Sequence, residues 1–339
     1  MNKEKPAKHN GVSYLRFILF MAVIIVFMFS TSCNRGGADG EDTLPARVYV
    51  TDYNNSFVVR VATTCVKLRL GSKSENLMHI LELLDRTVAE TNPHIVLLSE
   101  SIFTRMNPYG TDNFGDYGRA EELGGLVFTA MQDAALRHGI YLIFNINAPQ
   151  EGGNPAGIFN SSFLVNPRGE IIGRYDKNII PGDERMDGIQ SSEDRPVFTI
   201  NVNGHDVVIG MVICYDVAYA GRIVHPMYPG HVRIIQSMVD QGAQIIFNST
   251  IGDYVIESVL EAEIFNVWIV IAGQDEHVWD KPNWNIPLGV SGVIDPTGTP
   301  RLLFSDRTAD TRLSFEEMQF RPGFDGSFGY YDIRLPIRD

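Results

Sequence analysis

The sequence has few cysteines and a shortage of positive charge, and both limit what the protein can be. Only three of its 339 residues are cysteine, too few for a fold that relies on disulfides for stability. Lys and Arg number 28 against 41 Asp and Glu, a formal net charge of −13. Because binding to nucleic acid depends on clustered Lys and Arg, this composition argues against a nucleic acid as partner.

Long hydrophobic runs are also scarce, and the one near the N-terminus is short. Thirteen apolar residues, Phe17 to Phe29, follow a segment with four basic residues. A bilayer needs roughly 20 apolar residues to be spanned, so the pattern favours a secretory leader over a permanent transmembrane helix. Small residues at 30–32 precede Cys33, which resembles a bacterial lipoprotein signal. Cys33 is then the lipidated first residue of the mature chain, with ordinary cleavage and a free Cys33 as the alternative.

The N-terminal 56 residues predict an exported protein. We expect a leader over residues 1–32 and a Gly-rich, acidic tether over 33–56. Without residues 1–32, which hold four basic residues and one acidic residue, 24 basic and 40 acidic residues remain, a net charge of −16. The sequence thus predicts an acidic body in the bacterial cell envelope, in the periplasm or at the outer membrane, held to a membrane by a lipid anchor only.

The rest of the chain alternates strands and helices. After strand 57–65, a capping-box spacing of Ser72 and Glu75 begins a helix with one apolar face, which Asn92-Pro93 ends. Further strands and hairpins are predicted at 94–100, 140–147, 159–167, 170–178, 197–202, 206–214, 243–249 and 268–274, and further helices at 121–137, 226–241 and 255–267. Crossovers mixed with hairpins indicate an α/β fold in which two mixed sheets pack together under outer helices.

Three polar residues stand at the ends of predicted strands, where open α/β sheets usually carry their sites. Glu100 follows an apolar strand, and partial burial suits a carboxylate to exchanging protons near neutral pH. Lys177 ends the second strand of a hairpin, and Cys214 ends the run VVIGMVIC. Cys65 lies within the first strand and is interpreted as a core residue.

These residues and their surroundings resemble the nitrilase superfamily of carbon–nitrogen hydrolases. The similarity is carried by Glu100 in LLSES, Lys177 in GRYDKNIIPGDER, Cys214 in GMVICYD, and Glu184, which lies seven positions after the lysine. It extends over residues 57–305, which we take as one hydrolase domain. The resemblance implies a four-layer α-β-β-α sandwich and a homodimer or larger homo-oligomer, with a C-terminal extension at 306–339 that contacts the partner subunit.

The resemblance also implies the chemistry. Amides are poor electrophiles, so a thiol nucleophile divides the reaction into acylation and deacylation. Cys214 is expected to be that nucleophile, Glu100 the proton carrier, and Lys177 the group that stabilises negative charge together with the backbone N–H of Tyr215. Glu184 is expected to orient Lys177 or the substrate. No cofactor is implied, and no metal is expected, because His225 and His231 lack a third ligand at metal spacing.

The predicted function is hydrolysis of a small non-peptide amide or N-carbamoyl compound through a thioester on Cys214. Residues expected from position to contact the small-molecule amide substrate are Tyr109, Asn160, Tyr215, Asn248 and Ser249. Two alternatives stay open on the sequence alone. One is an acyltransferase of the same superfamily that forms an amide, and the other is a binding lipoprotein without catalysis.

Overall fold

The computed structural model describes nine parts of the chain. They are residues 55–67, 73–103, 120–150, 157–186, 188–218, 234–252, 254–275, 290–304 and 326–337. The proposed leader and lipidation site at Cys33, and the substrate candidate Tyr109, lie outside these ranges.

Helices and strands alternate along the described residues. The strands are β1 (Ser56–Lys67), β2 (Ile95–Leu97), β3 (Tyr141–Pro149), β4 (Ile158–Val165), β5 (Ile171–Asp176), β6 (Val197–Val202), β7 (His205–Ile213), β8 (Ile245–Ser249), β9 (Trp268–Ala272), β10 (Gln274–Asp275), β11 (Ser291–Ile294), β12 (Pro300–Phe304) and β13 (Gly326–Pro336). The helices are α1 (Lys73–Thr91), α2 (Leu126–His138), α3 (Gly182–Met186), α4 (Tyr215–Ala218), α5 (Ile234–Asp240) and α6 (Val255–Phe265).

The strands form two mixed sheets. Sheet one has the order β10-β1-β2-β3-β4-β5, with β13 also paired to β1, and sheet two has the order β12-β11-β9-β8-β7-β6. In sheet one β1, β2 and β3 are parallel and the hairpin β3-β4-β5 is antiparallel. In sheet two β7, β8 and β9 are parallel, and β6, β11 and β12 add antiparallel neighbours. The predicted α/β architecture of two mixed sheets with flanking helices is confirmed.

The period of two along the strands produces the layers. In β1, Val59, Val61 and Cys65 face the apolar core between the sheets, whereas Ala62 and Val66 face the core under the outer helices. Because successive side chains of a strand point to opposite faces, the two faces of β1 contribute to two different cores. Helices α1 and α2 cover its outer face, and α5 and α6 pack on sheet two. Cys65 is fully buried, as expected of a core residue.

Three predicted elements differ from the observed ones for local reasons. Helix α2 begins at Leu126 instead of residue 121, after Gly124 at a positive φ of 86°, and the Glu121 carboxylate accepts a hydrogen bond from the Val127 N–H in its first turn. The predicted strand 94–100 pairs only over Ile95–Leu97. The predicted strand 268–274 is divided at Gly273, so that β9 belongs to sheet two and β10 to sheet one.

The C-terminal strand extends the sheet beyond the domain boundary predicted at residue 305. Strand β13 runs antiparallel to β1 from the pair Ser56 and Pro336 to the pair Val66 and Gly326. The end of the described chain therefore contributes a full-length partner to the first strand. No helix within the nine described ranges is long and apolar enough to cross a bilayer.

Candidate active site

Glu100 and Lys177 meet although they come from distant parts of sheet one. After β2 the chain leaves the sheet, and Ser101 takes a positive φ of 53°, which directs this turn away from the ladder. Lys177 directly follows β5. Its Nζ donates to Glu100 Oε1 at 2.8 Å and to Glu184 Oε1 at 2.5 Å. The side chains of Glu100 and Lys177 are both 0% exposed, so this ion pair is shielded from water.

Charge balance keeps the lysine protonated. Burial by itself would lower the pKa of Lys177, but the carboxylates of Glu100 and Glu184 outweigh it and hold that pKa well above its usual value. Burial raises the pKa of Glu184, and Lys177 opposes that rise. An ammonium between two carboxylates is therefore a fixed positive charge in this site.

Cys214 lies at the sharp turn between β7 and α4. Its φ is +49°, a left-handed conformation that costs about 1–3 kcal/mol in a residue other than glycine. Neighbours hold the backbone there, because the Cys214 N–H donates both to Ser249 O at 2.9 Å and to Asn248 Oδ1 at 3.0 Å. Such strand-to-helix turns present a nucleophile at the end of a sheet.

The surroundings of the Cys214 sulfur favour the thiol over the thiolate. Burial and the charge of Glu100 raise its pKa to about 12, against the opposing effects of Lys177 and of a hydrogen bond with Thr250. A nucleophile in this state has to lose its proton to a base during the reaction. Glu100 is a carboxylate close enough to the sulfur to influence its charge, and it can fill that role.

Asn160 lies between the two carboxylates. Its Nδ2 donates to Glu100 Oε1 at 2.8 Å and to Glu184 Oε2 at 3.3 Å. Its Oδ1 accepts from Asn145 Nδ2 at 2.7 Å, and Asn145 Oδ1 accepts from the Ser101 N–H at 2.8 Å. A residue that the sequence predicted to contact substrate thus contacts Glu100 and Glu184.

The other residues that the sequence predicted to contact substrate, Asn248, Ser249 and Tyr215, differ in their burial and in their hydrogen-bond partners. Asn248 is fully buried, and its Nδ2 has no hydrogen-bond partner within the described ranges. Ser249 Oγ donates to Leu98 O at 2.9 Å and so joins the two sheets. Tyr215 is half-buried and begins α4, next to the nucleophile.

The segment after β8 holds residues that the sequence analysis missed. The Ile251 N–H donates to Glu100 Oε2 at 3.0 Å. Tyr254 hydrogen-bonds the Cys214 thiol, and burial together with that sulfur raises the pKa of its phenol. Because β7 and β8 are parallel neighbours, the residues that come after both strands share one end of the sheet. The polar residues that follow the run AQIIFNS could therefore have indicated, from the sequence alone, that this segment lies at the site.

Asp216 was also missed as a candidate. It is fully buried and accepts hydrogen bonds from backbone and side-chain donors on both sides of the site. In the described ranges, no three His, Cys, Asp or Glu side chains form a group that could hold a metal ion. His225 and His231 lie outside those ranges.

Comparison with known proteins agrees with the fold and the motifs. A sequence profile described as carbon-nitrogen hydrolase matches residues 60–299. A mutant of an amidase from Nesterenkonia AN1, of the nitrilase superfamily, superposes with a TM-score of 0.56 at 18% identity, covering 81% of this chain and 90% of that one.

Two further structures are similar to the same degree. A double mutant of the Nesterenkonia amidase, solved in complex with acrylamide, gives a TM-score of 0.56 at 18% identity over 81% of this chain and 90% of that one. A carbon–nitrogen hydrolase superfamily protein from Xanthomonas campestris, with an arsenic adduct in its active site, gives 0.56 at 16% identity over 82% and 91%. A comparison with curated proteins finds no match to this sequence.

At these identities the structural likeness speaks for the fold, and the family follows from the profile. The matched segment spans well over half of the chain and contains Glu100, Lys177, Glu184 and Cys214. This chain is an enzyme of the nitrilase superfamily and belongs to the carbon–nitrogen hydrolase family.

Proposed function

We propose that the protein hydrolyses a small non-peptide amide or N-carbamoyl compound through a thioester on Cys214. The observation that carries this proposal is the buried Lys177 ammonium, bonded at 2.8 Å to Glu100 and at 2.5 Å to Glu184, with the Cys214 sulfur within electrostatic reach of all three. A fixed positive charge, a carboxylate base and a protonated thiol in one water-poor site are the groups that acyl transfer from an amide needs.

Acylation begins with the thiol. As Sγ of Cys214 attacks the carbonyl carbon, its proton passes to the Glu100 carboxylate and the C=O π pair moves to the oxygen. The Lys177 ammonium and the Tyr215 N–H stabilise that oxyanion. The oxygen pair then returns, the C–N bond breaks, and Glu100 gives its proton to the leaving nitrogen. An amine or ammonia departs and a thioester remains.

Deacylation uses the same groups in reverse order. Glu100 takes a proton from water as the water oxygen bonds to the thioester carbon. The second oxyanion collapses, the C–S bond breaks, and the sulfur regains the proton held by Glu100. The acid leaves, and Cys214 returns to the thiol form that its raised pKa favours. Lys177 keeps its proton throughout, because Glu184 and Glu100 hold its pKa high.

The test is intact-mass spectrometry after incubation with a library of small amides and esters. We expect an added acyl mass on the wild-type protein, its absence in Cys214→Ala, and its retention in Cys65→Ala, whose sulfur is buried in the core. The mass names the acyl group. An adduct that persists in Cys214→Ala, or turnover of any library member by that variant, would contradict the proposal.

The same experiment separates the alternatives. With an added amine, an acyltransferase forms a new amide at the expense of acid release, whereas a hydrolase releases mainly acid. A binding lipoprotein forms no acyl adduct with any member. Slow alkylation of Cys214 does not single out a binding protein, because burial and the Glu100 charge raise the pKa of this thiol and so slow its alkylation in an enzyme as well.

The cellular location and assembly are part of the proposal. The acidic body, the leader-like segment 1–32 and Cys33 support an exported lipoprotein of a bacterial envelope, with contact to the membrane through its lipid only. Membership of the nitrilase superfamily supports a homodimer or larger homo-oligomer. Equilibrium sedimentation of the protein without residues 1–33 would measure the latter, and a monomer at micromolar concentration would contradict it.

A further inference from the structure

Asp216 is a buried carboxylate at the active site that takes no part in acylation or deacylation. It is 0% exposed and is the second residue of α4. Its Oδ1 accepts from the Ile179 N–H at 2.8 Å and the Asn178 N–H at 3.1 Å. Its Oδ2 accepts from the Tyr175 hydroxyl at 2.7 Å and the Ile213 N–H at 3.0 Å. These four hydrogen bonds hold the Asp216 carboxylate in one position.

The four donors belong to the two catalytic segments. Tyr175, Asn178 and Ile179 flank Lys177 on both sides in the chain, and Ile213 directly precedes Cys214. Strand β5, which leads to Lys177, is in sheet one, and β7, which leads to Cys214, is in sheet two. Among the described residues no ladder of backbone hydrogen bonds joins the two sheets, so side chains contribute to the distance between the lysine and the sulfur. Asp216 makes such a connection directly.

At neutral pH, the ionised form of Asp216 lowers the stability of the fold. Burial raises its pKa to about 6, although its hydrogen bonds with Ile179 and Tyr175 and the nearby Lys177 ammonium oppose the rise. The titratable side chains with the largest effects on its pKa are Tyr175, which donates a hydrogen bond to it, and Lys177. For a carboxyl whose folded pKa is raised, the contribution to stability is present below about pH 4 and is lost as the pH rises through about 6. An ionised group that costs stability at working pH is typical of a functional site.

We propose that Asp216 is a positioning residue that holds Lys177 at the correct distance from Cys214 for the reaction. This inference rests on the proposed function. Asp216 acts through the backbone next to Lys177 and Cys214. Its one carboxylate bonds both the segment after β5 and the strained turn at Cys214. Because misplacement of reacting groups by about 1 Å can cost about 100-fold in rate, loss of the connection should lower kcat and leave substrate binding largely intact.

The primary test is Asp216→Asn, which preserves size and keeps one acceptor oxygen but turns an NH₂ toward Ile213 or toward the lysine segment. We expect kcat to fall at least about tenfold, with KM within about threefold and the unfolding temperature nearly unchanged.

The matched control is Asp295→Asn. Asp295 is also a buried carboxylate that accepts from the backbone of its own turn, at Thr297 and Thr299, but it lies in the β11–β12 hairpin. We expect that control to lower the unfolding temperature and leave kcat within about twofold.

A second variant keeps the inference testable if Asp216→Asn does not fold. Tyr175→Phe removes one of the four hydrogen bonds that Asp216 accepts, so kcat should fall by about threefold, less than in Asp216→Asn, with KM and the unfolding temperature nearly unchanged. An unchanged kcat in Tyr175→Phe would overturn the inference, as would an Asp216→Asn enzyme with kcat within twofold of wild type or a kcat loss that only follows the loss of folded protein. If the wild type itself forms no acyl adduct, the proposed function fails instead, and the two failures are distinct.

Discussion

At the scale of single residues, the site is defined by how each charge is neutralised. Lys177 lies between Glu100 and Glu184, and Asn160 donates to the same two carboxylates. The Cys214 sulfur is near this group, and burial and the Glu100 charge both raise its pKa and so disfavour the thiolate. Glu100 consequently has two opposite effects on the thiol. In the proposed reaction it is the base, and it disfavours the thiolate before substrate binds.

This dual role leads to a prediction for Glu100→Gln. Removing the carboxylate should abolish turnover because no base remains for the thiol or for water. It should also lower the pKa of Cys214, since the Glu100 charge is one of the two main causes of its raised value. Each unit by which the pKa falls raises the thiolate fraction about tenfold, so iodoacetamide should alkylate Cys214 faster in this inactive variant at pH 8 to 9.

The measurement is the alkylation rate against pH, followed by intact mass. Buried Cys65 provides the control within the same molecule, because its reactivity should not change. A Glu100→Gln protein that is alkylated more slowly than wild type at every pH would contradict the assignment of Glu100 as the group that suppresses the thiolate.

At the scale of elements, the C-terminal strand is a structural partner of β1. The two strands pair antiparallel over eleven residues of each, and Ile333 and Leu335 reach the core between the sheets. The Arg60 guanidinium on β1 bonds the Asp332 carboxylate of β13 at 2.7 Å. Strand β13 thus pairs with most of the edge of β1 that lies opposite β2.

Ile333→Ala tests this packing. Ile333 is 0% exposed, and truncating a buried isoleucine to alanine typically costs about 2–5 kcal/mol. We expect a loss of about 3 kcal/mol in the free energy of unfolding, measured by urea denaturation. Arg334→Ala on the opposite, exposed face of the strand is the control and should change stability by less than about 1 kcal/mol. Equal losses in both variants would argue against the observed orientation of β13.

Elements also differ in how well the sequence predicts them. Strands β4 to β7 match the predicted hairpins closely, because alternating side chains and local turns specify a hairpin within a short stretch of chain. Strand β2 is shorter than its apolar run. The residues 98–100 are buried by contacts outside their own strand: Leu98 packs in the core under the outer helices, Ser99 bonds Gly273 O, and Glu100 accepts from the Ile251 N–H. A window of sequence does not contain those neighbours.

At the scale of the whole molecule, hydroxyl groups connect the two sheets beneath the site. Ser249 Oγ donates to Leu98 O, Thr63 Oγ1 donates to Ile271 O at 2.6 Å, and Ser99 Oγ donates to Gly273 O at 2.5 Å. Leu98 and Ser99 directly precede Glu100, so these bonds connect the turn at Glu100 to the sheet that carries Cys214. The mutual position of Glu100 and Cys214 depends on the packing of both sheets.

Ser249→Ala distinguishes this structural role from substrate binding. Loss of a buried hydrogen bond that leaves a carbonyl unpaired costs about 1–3 kcal/mol, so we expect a lower free energy of unfolding with KM unchanged. Ser237→Ala, on α5, is the control and should leave both quantities near wild type. A raised KM with unchanged stability would instead assign Ser249 to the substrate, as its position in the sequence suggested.

Membrane attachment is the prediction that concerns the full chain. If Cys33 carries the lipid, Cys33→Ser expressed with its leader should move from the membrane fraction to the soluble fraction of the envelope, because a single hydrophilic substitution removes the acylation site. Fractionation and then immunoblotting measure this, and intact mass of the wild type should show the added acyl chains. A Cys33→Ser protein that stays in the membrane fraction would favour the apolar run Phe17 to Phe29 as the anchor.

The sequence by itself determined the alternation of strands and helices and the identity of Glu100, Lys177, Glu184 and Cys214 as candidates. Side-chain periodicity, turn residues and polar groups at the ends of apolar strands predict the alternation and point to Glu100, Lys177 and Cys214, whereas Glu184 and the grouping of all four residues come from the resemblance to the nitrilase superfamily. Only the tertiary structure decided that Asn160 bonds two carboxylates, that burial and Glu100 raise the pKa of the Cys214 thiol, and that Asp216 connects the lysine segment to the turn at Cys214. Each of these depends on a distance or a burial set by two sheets packing face to face, and no stretch of sequence contains both partners.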